Sequence, residues 1–244
     1  MRKWIAAGLR RYDYDVVKRR NRTTGDAFVD MALFVTAEAP VLLDVGGNTG
    51  QTVEKFRAQF PRGRIFSFEP GPRAFAQLQR AWGKTLGVSL WPCAIGATAG
   101  KALLSEHRAT DLSSFLPIGA DGSSEIAETV QVDVIRLDDF VRQKEIDHVD
   151  VLKIDTQGFE LEVFKGAGDL LRAGKIGLIY FELTLAEIYR GLPRMDVLLE
   201  YLLDRNYRLV LIDNMHYQDG LLSWMDALFI HMNVHAAWLA QRAI

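Results

Sequence analysis

The chain has 244 residues, of which 49% are hydrophobic and 25% charged, with a formal net charge of −2 at pH 7. That composition excludes a disordered or fibrous protein and fits an ordinary globular one. The near-neutral charge argues against the strongly basic surface that nucleic-acid binding needs, and a lone cysteine, Cys93, excludes an internal disulfide and a cysteine-rich zinc site.

Residues 1–22, MRKWIAAGLRRYDYDVVKRRNR, set eight Lys and Arg against two Asp. They read either as a basic amphipathic helix lying on an anionic membrane or as a helix packed on the domain with its basic face in solvent. The apolar stretch there is too short for a secretory signal, and no run approaches the ~18 apolar residues of a membrane span. The expected location is therefore the cytoplasm, with peripheral contact at the inner face of a membrane if the first reading holds. Residues 25–39 read as a further helix ended by Pro40. Together, residues 1–40 form an expected N-terminal helical extension ahead of one domain at 41–244.

From residue 41 onward, apolar runs of strand length alternate with stretches of helical period, the pattern of crossover helices on a parallel sheet. Strands are expected at 41–45, 64–68, 88–92, 130–135, 149–154, 176–182, 208–212 and 226–231. Helices are expected at 51–60, 72–82, 137–144, 160–172 and 194–205, the second opening on Pro72 at its first turn. The segment 105–128 is rich in Ser, Gly and Asp and reads as a long loop, either a lid or a mobile connection.

The first strand breaks into Gly46, Gly47, Asn48, Thr49 and Gly50 before a helix begins. Such a turn permits positive φ and close approach of a ligand to the main chain. Its spacing is not the G-x-G-x-x-G of a dinucleotide fingerprint. Glu69 ends the second strand 25 residues after Asp44, near the spacing at which a carboxylate accepts ribose hydroxyls. Two acids beside the turn disfavour an anionic phosphate and suit an adenosine with a cationic tail, as in S-adenosylmethionine. Glu69 would hold the ribose, and Asp44 would favour the ammonium through water.

The segments DVGGNTGQ (44–51), FSFEP (66–70), CAIG (93–96), RLDDF (136–140) and VLKIDTQGFELEVFKGA (151–167) resemble the FkbM-type family of S-adenosylmethionine-dependent methyltransferases. The resemblance implies an α/β fold with a seven-stranded class I methyltransferase (Rossmann-like) sheet. That sheet would be mostly parallel with a C-terminal antiparallel strand, with helices on both faces. It implies O-methylation of a hydroxyl on a sugar, a glycan or a secondary metabolite. It also implies cofactor contacts at Asp44, Gly46, Asn48, Thr49, Gly50, Glu69, Pro70 and Asp155, with Ala94 and Ile95 near the adenine. Two positions depart from the family pattern. Gly47 replaces an alanine, read here as a harmless shrinkage, and Gln157 replaces a glutamate, which weakens any base or metal role at that position.

Asp44, Glu69, Asp155 and Glu182 all fall at carboxyl ends of expected strands, where open α/β sheets bind ligands. Asp155 is the first candidate to orient and deprotonate an acceptor hydroxyl, supported by Glu182 and Glu160, with His107 or His216 as loop-borne alternatives. A divalent ion on Asp155 and Glu182 could instead lower the hydroxyl's pKa, but the sequence does not specify a metal. Cys93, in an apolar strand end, lacks the surroundings that activate a nucleophilic thiol. Two other functions stay open at this point, a cofactor-binding scaffold without chemistry and an RNA methyltransferase using the basic start.

Overall fold

A computed structural model describes residues 24–122 and 125–242. The basic segment 1–22 lies outside the described residues. Among these, no helix is long and apolar enough to cross a membrane.

The main sheet is built from β1 (Val41–Val45), β2 (Arg64–Phe68), β3 (Val88–Trp91), β7 (Val149–Ile154), β8 (Ile176–Thr184), β9 (Tyr207–Gln218) and β10 (Leu221–His231). Its order is β3-β2-β1-β7-β8-β10-β9. Pairing is parallel from β3 through β8, and β10 runs antiparallel to both its neighbours. The class I methyltransferase sheet expected from the sequence is therefore present. The chain winds outward from β1 to β3 and then returns to β7, which makes the β1/β7 junction the switch point where α/β sheets bind ligands.

A second, three-stranded sheet joins β4 (Ala94–Ile95), β6 (Ile126–Ile135) and β5 (Gly100–His107). The sequence reading missed β4 and β5, and gave β6 only its C-terminal half. The expected loop at 105–128 is correspondingly shorter, because both its ends are paired strand. The strands expected at 208–212 and 226–231 extend into a long hairpin.

Central strands are buried on both faces, so their successive residues enter two different cores. Leu43, Val45, Leu152, Ile154, Ile179 and Phe181 face one core, covered by α4 (Leu137–Gln143), α5 (Glu160–Gly166), α6 (Gly168–Arg172) and α7 (Met195–Leu203). Leu42, Val151, Leu178 and Leu228 face the other, covered by α1 (Ala27–Met31), α2 (Gln51–Gln59), α3 (Pro72–Trp82) and α8 (Met232–Ala240).

Two helices differ from expectation. The one predicted over 25–39 is confined to α1, capped by Asp26 and followed by tighter turns at Leu33 and Phe34. This segment gives Ala27, Met31 and Phe34 to the second core. The helix predicted over 160–172 breaks at Ala167, where Gly166 passes so near the carbonyl oxygen of Gly96 that a Cβ would lie 2.3 Å away. The terminal helix α8 was not expected.

Candidate active site

The glycine turn after β1 meets the loop after β7 at the switch point. Gly46 has φ +82°, and a Cβ there would lie 1.8 Å from the Asp155 carbonyl oxygen. Only glycine lets the two strand ends approach this closely. Across from it, Gln157 takes φ +54° and Gly158 φ +99°, folding the loop back on itself.

Glu69 is buried at the end of β2. Its Oε2 accepts the Asn48 N–H at 2.8 Å, and its Oε1 accepts the Gly71 N–H at 2.7 Å. Each oxygen keeps a further lone pair for a ligand. Burial pushes the Glu69 carboxyl up to about 7, although both N–H groups pull the other way.

Gly46, Asn48, Glu69, Pro70, Ala94, Ile95 and Asp155 all line one cavity at this junction. Asp44, Thr49 and Gly50 lie outside its wall. Asp44 is fully buried beneath the turn, where its Oδ2 accepts the Ser67 hydroxyl at 2.7 Å and its Oδ1 lies 3.4 Å from the Lys153 ammonium. Gly50 precedes α2 with φ +105° and faces Trp82, where a Cβ would come within 2.5 Å of the indole. Sequence reasoning missed the rest of the wall, including Leu104, Thr110, Phe115 and Phe159. Thr110 donates its hydroxyl to Asn48 Oδ1 at 2.8 Å and so ties the 108–116 segment across the cavity mouth. The segment is delivered to the rim by GKALLSEH, the strand β5, whose short apolar run Ala102–Leu104 is the one signal the sequence offers.

Gly47 corrects a sequence expectation. A Cβ there would lie 2.1 Å from the Ser67 hydroxyl and 3.2 Å from Asp44 Oδ2. Glycine is not a harmless shrinkage here, because the Ser67–Asp44 hydrogen bond fills the space an alanine would need.

The acids on the α1/α2 side of the sheet fall into rungs. Ser67, Asp44, Lys153 and Tyr180 stand side by side across β2, β1, β7 and β8. One rung further, Asp155 follows β7 toward Glu182 on β8, which pairs with Asp226 on β10, which pairs in turn with Asp213 on β9. Lys153 is the ammonium among them, 3.5 Å from Asp155 Oδ2, and it donates to the Gly46 carbonyl at 3.1 Å. Burial works against its charge, yet Asp155 and Asp44 outweigh it and raise its pKa. Gln157 donates through Nε2 to Asp155 Oδ1 at 2.9 Å and reaches Glu182 Oε1 at 3.5 Å. Its own Oε1 accepts the Tyr189 hydroxyl at 3.1 Å. Burial first, then the charges of Asp155, Glu160 and Asp226, push the Glu182 carboxyl up to about 9. These surroundings favour its neutral form at pH 7.

Glu160 does not belong to this cluster's working face. Its Oε1 accepts from Thr156 N and Oγ1 at 3.0 Å and from Gly158 N at 3.2 Å, so it fastens the 156–158 loop from the first turn of α5. Expected as a support for Asp155, Glu160 thus meets the loop's own N–H and hydroxyl groups and does not line the cavity. His107 is fully buried in β5 with neither ring nitrogen hydrogen-bonded, and His216 stacks on Trp224 at 3.8 Å on the hairpin. Neither lines the cavity with Asp155. Burial raises the Cys93 thiol to about 11, which keeps it protonated and unreactive.

The arrangement does not suit a divalent ion on Asp155 and Glu182. The Gln157 amide stands between the two carboxyls as a donor. Among the described residues, no three His, Cys, Asp or Glu side chains converge at metal-ligand spacing.

The family model described as Methyltransferase FkbM domain matches residues 44–209. The chain is 28% identical over 174 residues to the 2-O-methyltransferase NoeI of Sinorhizobium fredii, a match covering 67% of this chain and 71% of that relative. It is 26% identical over 162 residues to the hexuronic acid methyltransferase AglP of Haloferax volcanii, covering 66% of this chain but only 60% of the relative. Among solved structures, a methyltransferase FkbM from Methylobacillus flagellatus superposes with a TM-score of 0.51 at 17% identity, over 78% of this chain and 44% of its own, a likeness of fold. The matched span holds the glycine turn, Glu69 and the loop from Asp155 to Gly158, and it covers well over half of the sequence. The chain therefore belongs to the FkbM methyltransferase family.

Proposed function

We propose that this methyltransferase moves a methyl group from S-adenosylmethionine to a hydroxyl of a sugar or a secondary metabolite. The observation that carries the reading is Glu69, a carboxylate held by two N–H groups in a cavity wall, with lone pairs left for a pair of ribose hydroxyls. The wall also fits a nucleoside in other respects. Ala94, Ile95 and Phe159 offer apolar surface to a flat base, and Gly46 and Asn48 bring the glycine turn into the same wall. The relatives named for 2-O-methylation and for hexuronic acid support a carbohydrate acceptor.

Bound in this cavity, S-adenosylmethionine supplies an electrophilic methyl whose C–S bond breaks, its electron pair staying on sulfur, as the acceptor oxygen takes the carbon. Asp155, in the cavity wall, accepts the hydroxyl proton. Lys153 and Gln157 hold that carboxylate from two sides. Glu182, kept neutral, places no second negative charge next to it. Asp44 acts beneath the site by fixing Lys153 and Ser67.

Titration calorimetry with S-adenosylhomocysteine, followed by transfer of labelled methyl groups to a lysate, tests the reading. Binding and a labelled, base-stable ether product are expected. Absence of binding, or label found only on nucleic acid, overturns it. Tight binding with no labelled product across hydroxylated acceptors would favour a scaffold without chemistry.

A further inference from the structure

A second cleft opens on the side of Asp155 away from the nucleoside cavity. It shares Gly46, Asn48, Asp111 and Asp155 with that cavity, and its remaining wall includes Phe28, Lys55, Tyr180, Asn214 and Asp226. Past Tyr180 it continues into a shallower mouth at Asp26 and Asp213. A path thus leads from solvent to the Asp155 carboxylate without crossing the first cavity.

The outer wall is built from distant parts of the chain. The Tyr180 hydroxyl lies 2.8 Å from Asp226 Oδ2 and 3.1 Å from Asp213 Oδ1, while Asp213 Oδ2 accepts the Ala27 N–H at 3.0 Å and fastens α1 to the hairpin. On β9, His216 pairs with Trp224 but Asp213 pairs with Asp226, so β9 carries one extra residue between them. Such a bulge re-aims side chains, and here Asn214, at φ +46°, turns its amide to Asp226 Oδ2 at 2.9 Å. Phe28 stands edge-on to Tyr180 with ring centroids 5.4 Å apart, and the Lys55 ammonium sits 4.8 Å from the Phe28 centroid.

We propose that this second cleft is the acceptor site and that it takes a hydroxylated sugar ring. The inference rests on the methyl-transfer reading above. In-line displacement requires the nucleophile to approach from the side opposite sulfur, and of the two acids that both clefts share, Asp111 and Asp155, Asp155 is the one held by Lys153 and Gln157. A pyranose has an apolar C–H face and a rim of vicinal hydroxyls. Phe28 offers an aromatic surface for the first, and the Asn214 amide with the Asp226 and Asp213 carboxyls offers paired donors and acceptors for the second. The competing occupant is the cofactor's own amino-acid tail, with Lys55 on its carboxylate.

The test uses the full chain, S-adenosylmethionine and a panel of neutral methyl pyranosides of gluco, galacto, manno and rhamno configuration, with release of S-adenosylhomocysteine as the readout. The variants are Phe28→Ala and Asn214→Ala, the latter exposed enough that folding is not at stake. The expected result is turnover of at least one sugar, a KM for it raised about tenfold in each variant, and a Kd for S-adenosylhomocysteine within about twofold of wild type. An unchanged KM in both variants overturns the placement. Loss of S-adenosylhomocysteine affinity with KM unmoved assigns the cleft to the cofactor tail and likewise overturns it. Wild type that binds S-adenosylhomocysteine but turns over no sugar overturns the substrate class. Wild type that fails to bind S-adenosylhomocysteine overturns the methyl-transfer reading, and this inference falls with it.

Discussion

The Lys153 ammonium lies 3.4 Å from Asp44 Oδ1 under the glycine turn, with 9% of the lysine side chain and none of the aspartate exposed. A buried pair of this kind contributes little net attraction once both desolvation costs are counted, but breaking it strands a charge. Lys153→Met should therefore lower stability by ~3–5 kcal/mol, read by urea unfolding. Adding Asp44→Asn to it should restore a good part of the loss. A double variant no more stable than the single one would mean that Asp44 is held mainly by Ser67.

Gly47 and Ser67 make a second pair whose members depend on each other. Gly47 does not have positive φ, so alanine is allowed by the backbone and opposed chiefly by the Ser67 hydroxyl, with Asp44 Oδ2 at 3.2 Å and Leu78 Cδ2 at 3.3 Å close behind. Gly47→Ala should cost about 1–3 kcal/mol, the penalty for displacing a buried hydrogen-bonded hydroxyl. Gly47→Ala with Ser67→Ala should be more stable than the sum of the single variants allows, since the obstructing oxygen is gone. Additive thermal shifts in the double variant would refute the coupling.

These pairs show what a one-dimensional reading could and could not reach. Asp44, Glu69, Asp155 and Glu182 were legible because each ends an apolar run, and strand ends are where α/β sheets bind ligands. Their partners were not. Nothing in the sequence ties Ser67 to Asp44 or sets Gln157 between Asp155 and Glu182, because those contacts depend on strand register. The β5 strand escaped notice because one of its faces is exposed and its apolar signal is diluted by Lys101, Ser105 and Glu106. The hairpin tip of β9 and β10 falls outside the expected strands for the same reason, since much of it is solvent-facing. The second cleft is harder still, because Phe28 and Asn214 meet across nearly the whole described chain.

Asp155 and Glu182 should respond differently to removal of their charge. The surroundings of Glu182 favour its neutral form at pH 7, so Glu182→Gln resembles that form and should change kcat by no more than a few fold. Asp155→Asn removes the proposed proton acceptor and should lower kcat by roughly 10²–10⁴-fold, the usual contribution of a positioned base. As pH rises through about 9, wild-type Glu182 ionises and sets a like charge beside Asp155. Wild-type kcat should then change through that pH range, while Glu182→Gln should show no such step. Equal losses in the two variants at pH 7 would show that both carboxyls take part in proton transfer.

As the proposed ribose ligand, Glu69 should make cofactor affinity depend on pH in a direction fixed by its surroundings. Burial raises its carboxyl to about 7, so below that pH the free protein holds a protonated Glu69. Ribose hydroxyls donate to the ionised form, and binding must then expel the proton. Affinity for S-adenosylhomocysteine should consequently weaken by up to about tenfold for each pH unit below 7 and level off above it. Calorimetry at pH 6 in two buffers of different ionisation enthalpy should register close to one proton released per site. At pH 8.5 that release should largely vanish. Glu69→Gln should bind more weakly at pH 8 and lose the dependence altogether. If affinity instead strengthened on acidification, the carboxyl would be donating its proton to the ligand, and Glu69 could not be accepting both ribose hydroxyls.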